Sequence, residues 1–240
     1  MIRFSHLIKL LVFLFFLGLG LESFAQFSGG GRAGLNIANL RGSSVKNNKM
    51  IIGYNVGGFI NYSLEDLLTG DLAEILSVQL EVSVQTKGTS SDYLVAAETV
   101  EENVKQDFTY VQFPLLAKFT FGDPRGIRYF GEAGPFLASL FGLTIDGEKM
   151  RDNDNNPDTD RRKYREEYSG FDYGLTFGGG FQLPFGGRKS PWEAYGNVRY
   201  SLGLANIGQY KEKTLDIPEE QLSDVKTSTI SIMGGVIYKF

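Results

Sequence analysis

Few side chains in this sequence could carry out chemistry. They form a glycine-rich run, an acidic run and a set of charged residues at alternating positions. The 240 residues include one histidine, His6, and no cysteine. Acyl transfer on serine or cysteine needs a general base, usually histidine, or a thiolate. Because His6 lies in an N-terminal segment that we expect to be removed, we expect no enzymatic activity and no catalytic residue.

The glycine-rich run from Gly29 to Gly34 formally matches the G-x-G-x-x-G pattern of dinucleotide-binding sites. Such a site needs the run between a strand and a helix, with an acidic residue about 20 positions further on. Here the run continues into a predicted strand. We therefore interpret these glycines as residues that let the first strand pass close to its neighbours, and we expect no cofactor.

The acidic run resembles the start of a calcium-binding loop. Its candidate ligands at loop positions one, three, five and seven are Asp152, Asp154, Asn156 and Asp158. Pro157 stands where the sharp turn requires glycine, and Lys163 stands where a bidentate glutamate is required. We expect a solvated surface loop and no metal site. The alternative is weak contact with divalent ions that bridge lipopolysaccharide.

The elements that must position these residues are strands, because apolar and polar residues alternate with a period of two. The clearest segments are 76–85, 110–121, 171–183, 192–204 and 229–240, and weaker ones lie near 30–40, 50–62 and 127–142. The pattern therefore predicts eight strands. A water-soluble β-sandwich would show the same alternation, so the strands alone do not establish a membrane protein.

The lengths of the connections between the strands favour a membrane barrel over a water-soluble β-sandwich. Joining the strands in order leaves connections at 41–49, 63–73, 87–105, 122–126, 143–168, 185–191 and 205–226. Three of the four odd-numbered connections are long and polar, whereas the second and third even-numbered ones are short. Outer-membrane barrels have long extracellular loops and short periplasmic turns. We therefore predict that residues 26–240 form an all-β fold, an eight-stranded antiparallel up-and-down transmembrane β-barrel.

Seven charged residues lie on the polar faces of the predicted strands: Glu81, Lys118, Arg128, Glu132, Asp172, Glu193 and Arg199. An eight-stranded barrel is just wide enough for its own side chains, and buried charges are costly unless they are paired. A tight turn at 122–126 would make Lys118 and Glu132 diagonal cross-strand neighbours. We expect a salt-bridged network that fills the lumen. A narrow ion path is the alternative.

Residues 1–25 have the features of a cleaved signal peptide. A positively charged start precedes an apolar run from Leu10 to Leu21, and small residues at Ser23 and Ala25 occupy the positions that signal peptidase reads. The run is shorter than the roughly 20 residues of a transmembrane helix. We predict cleavage before Gln26 and export to the cell outer membrane. No clustered basic face indicates a nucleic-acid partner.

Aromatic residues mark one end of the predicted barrel. The outward residues nearest the periplasmic turns are Tyr62, Phe121, Tyr129, Phe181, Trp192, Tyr238 and Phe240. Such a ring is typical of a girdle at the lipid interface. In the last strand, Val236, Tyr238 and Phe240 share the apolar face. We expect these three residues to be the signal that the barrel-assembly machinery recognises during insertion.

Four segments resemble PorT-like proteins, which are porin-family outer-membrane β-barrel domain proteins of Bacteroidetes-type bacteria. The segments are YVQFPLLAK at 110–118, GEAGPF at 131–136, FDYGL at 171–175 and RYSLGL at 199–204. The resemblance extends over essentially the whole mature chain. It implies an outer-membrane barrel, and the founding member of the family is associated with protein secretion across the outer membrane.

The sequence therefore predicts a non-enzymatic integral outer-membrane β-barrel that presents polar extracellular loops, either as a contact surface or within a secretion or envelope assembly. A small-solute transporter or narrow pore is the alternative function. The expected partners are outer-membrane lipid and lipopolysaccharide, the barrel-assembly machinery during insertion, and an envelope or secretion protein.

Overall fold

The structure is a computed structural model that describes residues 26–43, 45, 47–96, 99–149, 168–186, 190–208 and 224–240. The predicted signal peptide, residues 1–25, and the acidic run at 152–158 lie outside these residues. Among the described residues, no helix has the length and apolar character needed to cross a membrane.

Strands make up most of the described chain, and the predicted strand positions are confirmed to within a few residues outside the third connection. The elements in chain order are β1 (Phe27–Arg41), β2 (Ile51–Ser63), α1 (Asp71–Ile75), β3 (Leu76–Ala96), β4 (Thr99–Phe121), β5 (Arg128–Ile145), β6 (Glu148–Lys149), β7 (Phe171–Pro184), β8 (Trp192–Gly203) and β9 (Lys226–Lys239).

Eight of these nine strands close into a barrel, and all neighbours are antiparallel. The order around the ring is β4-β3-β2-β1-β9-β8-β7-β5, and pairing of β4 with β5 completes it. The two-residue β6 folds back on the end of β5. Its turn consists of Asp146 and Gly147, both with positive φ, as a two-residue hairpin turn requires. The predicted up-and-down antiparallel barrel is therefore confirmed.

The side chains alternate in the sense opposite to that of a soluble protein. Leu137, Phe141 and Phe171 on the outer face are 66–72% exposed, whereas Glu81 and Glu132 on the inner face are 2% and 4% exposed. An apolar exterior around a polar interior suits hydrocarbon as the surrounding solvent. This inversion is what distinguishes the barrel from a water-soluble one.

The predicted aromatic ring lies at the end of the barrel that carries the short turns, which we call the periplasmic end after the sequence prediction, and several of its members are in contact. Trp192 contacts Tyr238, with ring centroids 4.9 Å apart, and Tyr238 contacts Phe240 at 5.3 Å. Phe121 and Tyr129 face each other across β4 and β5 at 6.3 Å. The ring also includes residues that the sequence pattern shows less clearly, because Phe27 packs on Tyr62 at 4.9 Å.

One strongly exposed aromatic side chain, Phe171, lies near the opposite boundary of the apolar band. Phe171 and Phe181 both point outward from β7, near its two ends. Ten residues of strand span about 33 Å, which at a tilt of about 40° covers roughly 25 Å along the membrane normal. That height equals the apolar band of outer-membrane barrels, so β7 spans the hydrocarbon from one aromatic boundary to the other.

The prediction of a loop at 87–105 is wrong. β3 and β4 continue pairing through most of this segment, from Gly88 opposite Asp107 to Ala96 opposite Thr99. The sequence there is rich in serine, threonine and glutamate and lacks regular apolar alternation. Alternation reports a face in contact with lipid or core, and a hairpin that continues beyond the bilayer has no lipid face to mark.

Candidate functional site in the barrel interior

The centre of the lumen holds four charged side chains that come from four strands. Arg32 Nη2 lies 2.7 Å from Glu81 Oε2, and Arg199 Nη1 lies 2.7 Å from the same oxygen. Arg199 Nη2 lies 2.7 Å from Glu132 Oε1. None of the four side chains is more than 2% exposed. We call these four residues the central network; two guanidinium groups and two carboxylates balance in charge.

Glycines on neighbouring strands make room for the two guanidinium groups. Arg32 lies opposite Gly57 on β2 and Gly235 on β9, and Arg199 lies opposite Gly178 on β7. A Cβ atom on Gly235 would lie 2.3 Å from the Gly31 carbonyl oxygen and 3.0 Å from Arg32 Cα. The interior of a small barrel has space for large side chains only where their neighbours are small.

Amide side chains complete the hydrogen bonding of the carboxylates. Asn197 Nδ2 donates to Glu132 Oε1 at 2.8 Å, and Gln79 Nε2 donates to Glu81 Oε1. A buried ion pair stabilises a fold only when its remaining lone pairs and protons find partners. The central network therefore acts as a rigid polar plug.

Lys118 and Glu132 do not pair as predicted. They lie directly opposite each other on β4 and β5, not diagonally, yet Glu132 pairs with Arg199 instead. Lys118 Nζ donates to Gln79 Oε1 at 3.4 Å and lies 4.1 Å from the centroid of the Phe130 ring. Arginine offers five donors in a planar fork, and this geometry explains why the carboxylate binds Arg199.

A second ion pair lies nearer the extracellular end. Lys87 Nζ lies 2.9 Å from Asp172 Oδ2, and both side chains are at most 1% exposed. Thr227 Oγ1 donates to the same carboxylate oxygen at 2.7 Å. The Lys87 ammonium also lies over the rings of Phe136 and Tyr110, at 4.4 and 5.2 Å from their centroids. Asp172 was predicted to face inward, but Lys87 was missed because it fell in the wrongly predicted loop.

Beyond this pair, apolar side chains fill the extracellular end of the barrel. Phe108, Leu143 and Ile207 have no exposed surface, and Phe108 packs edge-on against Tyr168, with centroids 4.7 Å apart. Tyr168 also donates its hydroxyl proton to Gln106 Oε1 at 2.8 Å. The backbone holds the loop segments in place, since the amide of Ile207 donates to the carbonyl of Val225 at 2.8 Å.

The periplasmic end carries a third charged layer. Glu193 is 2% exposed and accepts hydrogen bonds from Arg128 Nη2 at 2.7 and 2.5 Å. Lys239 Nζ lies 2.6 Å from the same carboxylate. A cavity of about 270 Å³ opens beside this layer. Two cations therefore share one carboxylate at the mouth that faces the periplasm.

The predicted lumen residues thus all face inward, but they form separate clusters and not one network. The central cluster contains Glu81, Glu132 and Arg199, and the periplasmic cluster contains Arg128 and Glu193. Arg32 was missed because the outward positions beside it are glycine and alanine, so β1 lacks a clear apolar alternation. No cluster of three or more metal-ligating side chains occurs among the described residues.

The three residues of the proposed assembly signal lie on the lipid face of β9, near its periplasmic end. Val236 and Phe240 are 43% and 60% exposed, and Tyr238 is half-buried between neighbouring rings. The amide of Phe240 donates to the carbonyl of Phe27 at 3.1 Å. These residues therefore stand at the seam where the last strand closes the barrel against the first. Their role in assembly stays a prediction.

Comparisons with known proteins place the barrel among outer-membrane proteins. The profile described as "Outer membrane protein beta-barrel domain" matches residues 24–209. No curated protein sequence matches the chain. Solved structures similar to it include the outer membrane protein OprG from Pseudomonas aeruginosa, with 16% identity over 89% of this chain and 94% of that chain and a TM-score of 0.48.

Two further similar structures come from other bacteria. Neisserial surface protein A (NspA) shares 13% identity over 90% of this chain and 97% of that chain, with a TM-score of 0.44. Ail, the attachment invasion locus protein of Yersinia pestis, shares 13% identity over 89% of this chain and 99% of that chain, with a TM-score of 0.40. At these identities the similarity concerns the fold, and no function follows from it.

Proposed function

Because the chain belongs to the outer membrane protein beta-barrel domain family and lies in the outer membrane, we propose that it is a closed, non-enzymatic barrel that presents a rigid hairpin outside the cell as a contact surface. The hairpin is the part of β3 and β4 that stays paired beyond the residues packed in the extracellular end of the barrel, which include Lys87 and Val104. It comprises residues 91–96 and 99–103. This projecting hairpin is the observation that carries the proposal.

The lengths of β3 and β4 support this proposal. They contain 21 and 23 residues, whereas a strand that spans the membrane needs about 9–11. Pairing of β3 with β2 ends at Gln85 opposite Asn55, and pairing of β4 with β5 ends at Gln106 opposite Ile145. Residues just beyond these pairs, such as Lys87 and Val104, are still buried in the barrel end. The projection is therefore formed by about six residues of each strand, which correspond to roughly 20 Å along the strands.

The base of the hairpin is braced on both edges. On one edge, the amide of Lys49 donates to the carbonyl of Ser90 at 2.7 Å, and the amide of Ser90 donates back at 3.0 Å. On the other edge, the amide of Asp146 donates to the carbonyl of Lys105 at 2.9 Å. A two-stranded hairpin alone is marginally stable in water. Bracing fixes its direction, and a surface already ordered loses less entropy on binding.

The filled lumen argues against the alternative of a transporter or narrow pore. Three charged layers and the apolar extracellular end stand in series along the barrel axis. Moving an ion past them would require several buried pairs to separate, and breaking one such pair costs about 3–5 kcal/mol. The same pairing argues against catalysis by the buried carboxylates, because each is already held by a cation.

A narrower form of the proposal concerns the partner. The resemblance to PorT-like proteins favours a component of a secretion or envelope assembly, which would meet the hairpin and the polar loops at the cell surface. Lipopolysaccharide would surround the same loops. In this form the barrel is a membrane anchor, and the recognition takes place outside the bilayer.

In-cell photo-crosslinking tests the contact role. A benzophenone amino acid replaces Thr99 at the hairpin end in one variant and Leu137 on the lipid face in a control. We expect discrete protein adducts from position 99 in intact cells and none from position 137, whose side chain is 66% exposed to lipid. Equal adduct patterns from both positions would contradict a contact surface at the hairpin.

Planar bilayer recordings of the purified barrel test the closed lumen. We expect no stable channel of porin size, because the charged layers fill the cross-section. Large and reproducible openings would favour the pore and rule out the closed barrel. The two measurements are independent, so the anchor and the pore can be told apart.

A further inference from the structure

The periplasmic cavity has the properties of a binding site. Its volume of about 270 Å³ lies just below the roughly 300–1,000 Å³ of pockets for drug-sized ligands, so it fits a small solute. Its polar lining includes Ser77, Lys118, Thr120, Gln182 and Arg128. The cavity ends at the filled part of the lumen, so it is a vestibule open to the periplasm.

Lys118 supplies a buried cation to this cavity without a matching anion. The residue is 3% exposed, and its only hydrogen bond within the described chain is the long one to Gln79, at 3.4 Å. Its ammonium has three donors, and the nearest cross-strand carboxylate, Glu132, is held by Arg199 and Asn197. A buried charge without a partner is costly.

Arg128 adds a second unsatisfied donor. It lines the same cavity, and its Nε is buried with no hydrogen-bond acceptor among the described residues. Its terminal nitrogen already binds Glu193, which Lys239 also contacts. The inner wall therefore holds three cations, Lys118, Arg128 and Lys239, and one carboxylate, Glu193, which contacts only Arg128 and Lys239.

The rim of the cavity has the opposite charge. Glu65, from the connection after β2, and Glu74, from α1, line it and are exposed. A cationic wall behind an acidic rim favours a ligand with a single negative charge. Repulsion by the rim grows with the charge of the ligand, so a multiply charged anion is repelled more strongly at the entrance than a singly charged one. We propose that this vestibule binds a small solute that carries one carboxylate group, with Lys118 as the residue that pairs with that group.

Nuclear magnetic resonance titration of the full chain in detergent micelles tests this site, with sodium acetate as the probe. We expect saturable shifts of the amide signals of Ser77, Lys118 and Thr120. Sodium chloride at equal ionic strength controls for salt. Methylammonium chloride, the cationic counterpart, is expected to give no saturable shift, and inorganic phosphate is expected to bind more weakly than acetate.

Two variants locate the binding. Lys118→Met should raise the Kd for acetate at least about tenfold, which corresponds to about 1.4 kcal/mol, and Thr120→Phe should abolish binding by filling the cavity while leaving Lys118 in place. The control is Lys226→Met at the extracellular end, which should not change the Kd. If Lys118→Met fails to fold, the result for Thr120→Phe decides.

Several outcomes would overturn the assignment. The absence of saturable acetate binding would mean that the cavity holds water alone. An unchanged Kd in Lys118→Met, or in Thr120→Phe, would place the anion elsewhere. Tighter binding of phosphate than of acetate, or binding of methylammonium, would show that the charge of the rim or of the wall has been assigned wrongly.

Discussion

Arg199 and Glu81 form a bidentate ion pair across the full width of the barrel. Arg199 Nη1 lies 2.7 Å from Glu81 Oε2, and Nη2 lies 2.9 Å from Oε1. Their strands, β8 and β3, are separated by three other strands in either direction around the ring. This side-chain contact therefore joins opposite walls of the barrel and restrains the distance between them.

Replacement of Arg199 should destabilise the barrel strongly. Arg199→Met leaves Glu132 without its ion-pair partner and removes one of the two partners of Glu81. Loss of one member of a buried pair costs about 3–5 kcal/mol. Urea or guanidinium unfolding of the purified barrel in micelles measures this loss, with electrophoretic heat modifiability as the test for a folded barrel.

A double variant separates the missing partner from lost packing. In Arg199→Met with Glu132→Gln, the unpaired carboxylate becomes a neutral amide, so a substantial part of the lost stability should return. If the double variant is no more stable than Arg199→Met, the size and planar hydrogen-bonding geometry of the guanidinium group matter more than the charge that it neutralises.

The buried ion pair between Lys87 and Asp172 can be compared with an exposed ion pair of the same residue types, Lys105 and Asp107. Lys87→Met breaks a pair that is at most 1% exposed, whereas Lys105→Met breaks the pair with Asp107, in which Lys105 is 49% exposed. We expect a loss of about 3–5 kcal/mol for the first variant and at most about 1 kcal/mol for the second. Equal losses in chemical unfolding would contradict the burial of the first pair.

The fold and most inward charged residues could be predicted from the sequence, but Arg32, Lys87 and the pairing of the charges could not. Alternation with a period of two is local, so it reports the strand and the face on which a residue such as Glu81 lies. The partner of Glu81 comes from a strand 118 positions away, on the opposite wall. That contact depends on how the whole sheet staggers and closes, and no local pattern contains this information.

The periplasmic turns and the hairpin should lie on opposite sides of the membrane. The chain has no cysteine, so a single introduced cysteine reports its own position. Thr99→Cys at the hairpin should react with a membrane-impermeant maleimide in intact cells. Glu74→Cys in α1, just before β3, where the side chain is exposed, should react only after the outer membrane is permeabilised. The reverse pattern would invert the assigned orientation.

Phe240 should matter more for insertion than for stability. Phe240→Ala and Phe121→Ala each remove an exposed ring from the same aromatic girdle, at a cost of about 1–3 kcal/mol. Only Phe240 stands at the end of the closing strand. We therefore expect similar melting temperatures but a much lower yield of inserted protein for Phe240→Ala. Equal yields would contradict an assembly signal at Val236, Tyr238 and Phe240.

A substitution of Lys239 would not be silent, although this residue lies on the other face of β9 from Phe240. Its ammonium lies 2.6 Å from Glu193 Oε1, so a substitution would disturb the periplasmic charge layer. This contact crosses to the neighbouring strand, and the alternation of β9 alone predicts only that Lys239 faces away from lipid.

Replacement by alanine should have opposite effects on stability at two glycines of β5. A Cβ atom on Gly134 would lie 2.0 Å from the carbonyl oxygen of Leu115, a main-chain atom, whereas nothing lies within 4 Å of a Cβ atom on Gly131. Gly134→Ala should therefore cost about 1–3 kcal/mol, and Gly131→Ala should be neutral or stabilise by up to about 1 kcal/mol. Chemical unfolding measures both, and a neutral Gly134→Ala would contradict the close approach of β4 and β5.

Substitutions should accumulate differently at lipid-facing and lumen-facing positions of the strands. A residue on the lipid face, such as Leu137, can drift among apolar residues one mutation at a time. Arg199 cannot, because its loss would leave Glu132 without an ion-pair partner and Glu81 with Arg32 alone. Substitutions in the lumen should therefore arrive in compensated groups, as correlated changes on strands that never touch one another in the sheet.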